Sequence, residues 1–449
     1  SGNITAANEL LVLNARANDE VQFSSSGNNT WNGDIDGRGG LGQYNIESVS
    51  GMLTLDGRLS GFDVVNGVDR TYVFSGAGNT TVTGLITDDA IADNGTRTAS
   101  LANNLSVVKR GVGTLTISTE SSDIADYRRG STVVEQGTLR ITAAAGDVGE
   151  LSSRSVIVES GATLDLTDFG TYNMQAQTSL GLVQTYGGGG TINANTFGYF
   201  DDGSLSPGDS AGTLTINGAL NMSAFGPTPL GSLNYELANV TTVGGGVNDL
   251  IDVNGALTAN SLGGNFAVNV TPINGGFATG TYRLIEYNGA LGGNATGANF
   301  GVTVVDGAGV AVGATRQSFA VSTATGGQVN LVVTGAAQNL TWSGTTSGVW
   351  DVAATANWNA GADQFFNLDG VTFGSTPSTF NVAIPANVLP SSVTFNAAGN
   401  TYTFTLDTAS TLFFDGQLDS NGWDFFWSVS YTHLRAHETK ANLVCRLLL

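Results

Sequence analysis

Three short runs repeat one pattern of polar and apolar positions: Thr114-Leu115-Thr116-Ile117, Thr138-Leu139-Arg140-Ile141 and Thr163-Leu164-Asp165-Leu166. Each alternates strictly, so each reads as a strand with one buried and one wet face. A glycine leads into each. Leu115 to Leu139 is 24 residues and Leu139 to Leu164 is 25; Leu214, in Gly212–Ile216, lies fifty residues further on. A strand recurring at this period, with turns and no helical stretch between copies, predicts a β-solenoid. Further strands are expected at Glu9–Leu13, Glu20–Phe23, Met52–Leu55, Tyr72–Phe74 and Thr81–Thr83, as earlier and less regular coils. Asn32-Gly33, Asp56-Gly57 and Asn66-Gly67 are turn signals, and Asp88 to Gly95 reads as a loop. Stacking explains why such a chain folds. One coil has too little core, but each inward Leu, Val or Ile adds roughly 1.5–3 kcal/mol when buried against its neighbours. In-register parallel strands also let Asn and Thr side chains ladder from coil to coil. Open ends would expose unpaired edges, which are expected to be capped elsewhere in the whole protein.

The run from Gly111 to Ile141 resembles the autotransporter-associated β-strand repeat. Its GTLT is followed by a polar stretch with an aromatic, Tyr127. Gly130, Ser131, Thr132, Val133, Val134, Gly137, Thr138 and Leu139 then fit the second half. Leu205-Ser206-Pro207-Gly208-Asp209-Ser210-Ala211-Gly212-Thr213-Leu214 resembles a segment that follows these repeats. Asn248-Asp249-Leu250-Ile251-Asp252-Val253-Asn254-Gly255 and Gly280–Ile285 continue the order. The resemblance implies an all-β, right-handed parallel β-helix on a large exported bacterial surface protein. The repeat is structural and brings no catalytic residue.

Residues 1–335 are expected to form one β-helix module, clearest over 105–290 and finishing at Val329–Thr334. Gly335-Ala336-Ala337-Gln338 reads as a linker. Trp342, Trp350 and Trp358 follow, and 336–428 resembles the tryptophan-rich head of a further β module. From Val429 the composition changes. VSYTHLRAHETKANLVCRLLL resembles a translated sequencing adapter, so 429–449 is read as a non-native tail. Cys445, His433 and His437, the only Cys and His, lie there, as do Arg435, Lys440, Arg446 and Glu438. The rest holds one lysine, Lys109. With no initiator Met or leader at its start, the chain reads as an interior fragment.

Composition narrows the function. The chain has 63 Gly, 7 Pro and a net charge of −21, which suits turn-rich β-structure and argues against nucleic acid or anionic membranes as partners. No apolar run is long enough to span a bilayer. Without Cys or His outside the tail, zinc sites, disulfides and nucleophile–His arrangements have no residues to use. The paired carboxylates are Asp201-Asp202, read as a loop, and Asp249/Asp252, read as coil-turn residues. Lys109-Arg110 and Arg128-Arg129 are the basic pairs, read as solvated. Asn32 to Gly37 resembles the start of a calcium loop through Asp34 and Asp36, but Gln43 stands where a bidentate Glu is needed. Asp88, Asp89 and Asp93 form a second acidic loop. The tryptophans fit a core plug or cap better than an exposed sugar platform. The expectation is a non-catalytic exported surface β-helix (stalk, adhesin or matrix component) with no cofactor or metal. Glycans or neighbouring surface proteins are the partner classes it admits. A polysaccharide-degrading β-helix and a calcium-dependent binding module are the rivals.

Overall fold

A computed structural model describes residues 4–419, leaving out 7–8, 16–19, 40–41, 62–68, 88–89, 92–96, 99–103, 120–129, 144–150, 152, 175–182, 201–202, 209, 225–230, 274, 398–399, 408–411 and 413–417. Two long sheets run side by side through it. One holds 11 strands, from Glu20–Ser26 to Phe300–Val304, and every neighbouring pair is parallel. The other takes the repeated strands in order: Thr114–Thr119, Thr138–Ala143, Thr163–Asp165, Thr191–Phe200, Thr213–Ala224, Leu250–Val253 and Gly280–Tyr287. A third face stacks Leu11–Ala15, Ile35–Gly39, Leu59–Ser60 and Ile86–Thr87 in parallel. Chain neighbours alternate between sheets and sequence-distant strands pair within them, which is a parallel β-solenoid. Among the described residues no helix is long and apolar enough to cross a membrane.

The first hundred residues are more regular than their spacing suggests. Met52–Leu55 pairs residue for residue with Asn79–Val82, and Thr80–Val82 with Leu115–Ile117. Their coils join the same stack; only the turns differ in length. Ala90–Ile91, inside the stretch expected as a loop, pairs antiparallel with Arg97–Thr98 just beyond it.

Alternation builds the core. Leu115, Leu139, Leu164, Ile192, Ile216 and Val253 form one inward column, and Tyr44, Tyr72, Val107, Val156 and Tyr186 belong to the facing wall. The corners demand glycine for two separate reasons. Gly137 has φ +75°, a left-handed conformation that turns the chain into the next strand. Gly57 has an ordinary φ, but a Cβ there would lie 1.9 Å from the carbonyl oxygen of Gly33 in the coil beneath.

At the later end of the sheet that carries the repeated strands, a cap lies within this chain, where one was expected elsewhere. Gln328–Thr334 pairs antiparallel with Gly280–Tyr287, and Ser318–Ser322 pairs antiparallel with it in turn. This hairpin covers the last parallel rung of that sheet. A second set of parallel strands follows: Asn339–Thr341, Gly370–Gly374, Ser392–Asn396 and Leu418–Asp419. It has its own core around the tryptophans.

Candidate functional site

Among the described residues, the carboxylates singled out by sequence do not gather into one site. Asp34 is taken by Arg58, one coil on, through the backbone N–H at 2.9 Å and the guanidinium at 3.2 Å. Asp36 lies on the strand Ile35–Gly39, not in a loop, and accepts from Arg38 Nε at 2.6 Å. Among the described residues no three His, Cys, Asp or Glu side chains gather into a metal-binding group. Asp88, Asp89, Asp93, Asp201, Asp202, Arg128, Arg129 and Tyr127 lie outside the described residues, as does 429–449 with Cys445, His433 and His437.

Asp249 and Asp252 point into different surroundings. Asp252 is on the strand Leu250–Val253, in register with Glu286, so the coil-turn reading is wrong for it. Burial, then the nearby Glu286 charge, raises its pKa. Asp249 is buried before that strand. Its Oδ1 accepts from the Gly212 N–H at 2.7 Å and its Oδ2 from the Glu236 N–H at 2.6 Å. Neighbouring Asn248 is buried too. It accepts from the Ala238 N–H and donates to the carbonyls of Val240 and Thr242. Together the two side chains staple the turn that joins Leu233–Ala238 to Leu250–Val253. Burial pushes the Asp249 carboxyl up to about 8, against the pull of its two N–H donors.

A pH dependence follows. A carboxyl with a raised folded pKa contributes stability that is complete below its unfolded value, near 4. That contribution is lost as pH climbs through about 8. Thermal melts of the parent chain should therefore fall between pH 4 and 8 more steeply than those of Asp249→Asn. Parallel curves would show that Asp249 ionises freely.

Lys109 corrects the solvated reading. Leu105, Val107 and Lys109 share the inward side of Asn104–Lys109, and Lys109 stands in register between Phe74 and Val134, both buried. It is 3% exposed. Its ammonium donates to the carbonyls of Arg110 at 2.8 Å, Gly111 at 2.5 Å and Gln136 at 3.2 Å. Burial lowers its pKa to about 8. Arg110 is outward and paired with Glu135 at 2.6 Å. The signal for Lys109 was the alternation itself, outvoted by the charge.

The tryptophans are a plug. Trp342, Trp350 and Trp358 are buried, with rings 5.1 Å apart for Trp342–Trp358 and 5.4 Å for Trp350–Trp358. Asn357 braces them from within, accepting the N–H groups of Thr346 and Ser347 and donating to Val349 O.

What the fold presents outward is ladders. Thr5, Thr30, Thr54, Thr81 and Thr116 are successive register partners, continued by Arg140, Asp165 and Asn193. Thr114, Thr138, Thr163, Thr191 and Thr215 form a parallel row. Asn193, Asn217, Asn254 and Asn288 then bond amide to amide at 2.9, 2.9 and 3.2 Å. Each rung presents a similar polar group one strand spacing from the last, an arrangement that stiffens the stack.

Fold and surface together define a parallel β-solenoid with ladder-built walls. In sequence the chain is similar to the adhesin BmaC autotransporter of Brucella suis biovar 1 (strain 1330), 34% identical over 164 residues, which are 36% of this chain and 4% of that protein. The chain thus spans a small part of that relative's length. No family model and no solved structure matches it.

Proposed function

We propose that this chain is part of an exported bacterial surface protein of the adhesin type, and that its solenoid is a non-catalytic stalk. The observation that carries the reading is the ladder-walled parallel stack, in a chain similar to an autotransporter adhesin. A stack of 11 rungs at about 4.8 Å per rung extends about 50 Å along its axis, so it projects as well as folds. Its inward positions are filled by side chains, and its acidic surface suits neutral glycans or neighbouring surface proteins rather than polyanions.

Antibodies raised against the folded chain are expected to label intact, unpermeabilised cells of the source organism, and protease shaving is expected to remove the label. Incubation with a glycan panel should release neither reducing ends nor unsaturated products. Labelling only after permeabilisation would defeat the surface assignment. Glycan cleavage by the purified chain would defeat the stalk.

A further inference from the structure

The segment expected as a linker, Gly335 to Gln338, is tied down on both sides. Gly335 O accepts from Thr279 Oγ1, and the Gln338 N–H donates to Asp369 Oδ1 at 2.8 Å. Around it, the hairpin-capped stack and the tryptophan-rich unit meet through four kinds of contact. Backbone joins backbone where Thr315 bridges Asn367 in parallel and the Asn367 N–H reaches Ala314 O at 3.0 Å. Charge joins charge at Arg316, whose Nε lies 2.9 Å from Asp369 Oδ2 and whose Nη2 lies 2.7 Å from Asp363 Oδ1. The same guanidinium sits 4.6 Å from the centre of the Phe366 ring. Apolar surface joins apolar surface because Leu368 and Leu389 pack into the core of the first stack, not into the tryptophan cluster.

Two of these features cost free energy unless the contact is made. Leu368 holds φ +74°, a conformation unfavourable for a non-glycine residue. Asp369 is fully buried, and Arg316 is the cation that compensates it, with the Gln338 and Phe366 N–H groups as further donors.

We propose that the capped end of the first stack, centred on Ala314–Gln317 and Phe277, is a docking surface for a tryptophan-rich head. Arg316, Leu368 and Asp369 interlock there so that the two units turn as one rigid body. Gln317, which donates to Phe277 O at 2.9 Å from a buried position, fixes the receiving side. The partner this surface fits is a head carrying a buried acid and an inserted leucine. A protein that repeats such units would be jointed yet stiff. This holds whatever the stalk binds.

The test uses spin labels on the full chain. Cysteines replace exposed Thr303 in the first stack and exposed Thr405 in the second unit, with Cys445→Ser in the background. The parent is expected to give one narrow distance distribution. Arg316→Ala and Leu368→Gly should each broaden it, while the buried emission of Trp342, Trp350 and Trp358 is retained. Should Arg316→Ala unfold the head, Leu368→Gly carries the test, since glycine relieves the backbone strain and removes only the plug. A broad distribution in the parent, or a narrow one kept by folded Leu368→Gly, would overturn the proposal.

Discussion

Replacing Trp350 by alanine is expected to destabilise the second unit by about 3–5 kcal/mol, the range for emptying a large buried aromatic site. Trp350 is fully buried. It packs edge-on to Trp358 and Phe365, with ring centres 5.4 and 5.3 Å away, and lies 5.6 Å from Phe373. No smaller side chain spans that distance, and the sheet beneath it cannot collapse without breaking the pairing of Gly370–Gly374 with Ser392–Asn396. Urea unfolding followed by tryptophan emission should show the loss. Far-UV circular dichroism of the first stack should change far less, because the two cores are separate clusters. A change under about 1 kcal/mol would mean that Trp350 serves a surface and not a core.

The second large effect is expected at Lys109. Lys109→Ala removes three hydrogen bonds and leaves the carbonyls of Arg110, Gly111 and Gln136 facing a corner with no donor. The expected cost is about 3 kcal/mol, set by a charged donor and the desolvated acceptors it leaves behind. Lys109→Met, which extends the apolar column between Phe74 and Val134, should cost less. The pH profile separates this account from a packing effect. The folded pKa, about 8, lies below the unfolded value of 10.5, so burying the charge costs stability below pH 8. The folded state sheds its proton first, and that cost is relieved as pH rises from about 8 towards 10.5. Over that window the parent should gain stability relative to Lys109→Ala. Equal slopes in chemical denaturation would show that the ammonium is not held in the corner.

These two residues mark where the sequence could and could not be read. The strand at Met52–Leu55 and the repeated strands were legible because period-two alternation and a corner glycine say the same thing twice. The early coils were underrated because the spacing of their turns varies: Thr114 reaches back 35 residues to Asn79, whereas Ser118 pairs with Thr142 across 24. The register is kept whatever the number of residues between strands, so length is a poor guide and alternation a good one. The hairpin cap was invisible for a related reason. Val329, Leu331 and Val333 alternate as they would in a parallel strand, and side-chain period does not report strand direction. Lys109 was misjudged because its charge suggested solvent, and the turn reading of Asp249 did not foresee its burial. Only the backbone groups around them, supplied by other coils, make burial tolerable, and those partners lie 27 and 37 residues away. The asparagine ladder was expected in kind. Its members, from Asn193 to Asn288, became specific once register was known.

The central claim is that the coils stack in register across turns of unequal length. Disulfide trapping in the full chain, with Cys445→Ser, tests it most directly, because a bridge needs Cα atoms within about 7 Å. Thr81 and Thr116 are partners across the longest early coil, and Thr116 and Arg140 are partners across a regular one. The paired variants Thr81→Cys/Thr116→Cys and Thr116→Cys/Arg140→Cys should both oxidise to completion. Thr81→Cys/Ser118→Cys, offset by two residues, should not. Trapping of the offset pair in preference to Thr81→Cys/Thr116→Cys would contradict the stack at its foundation.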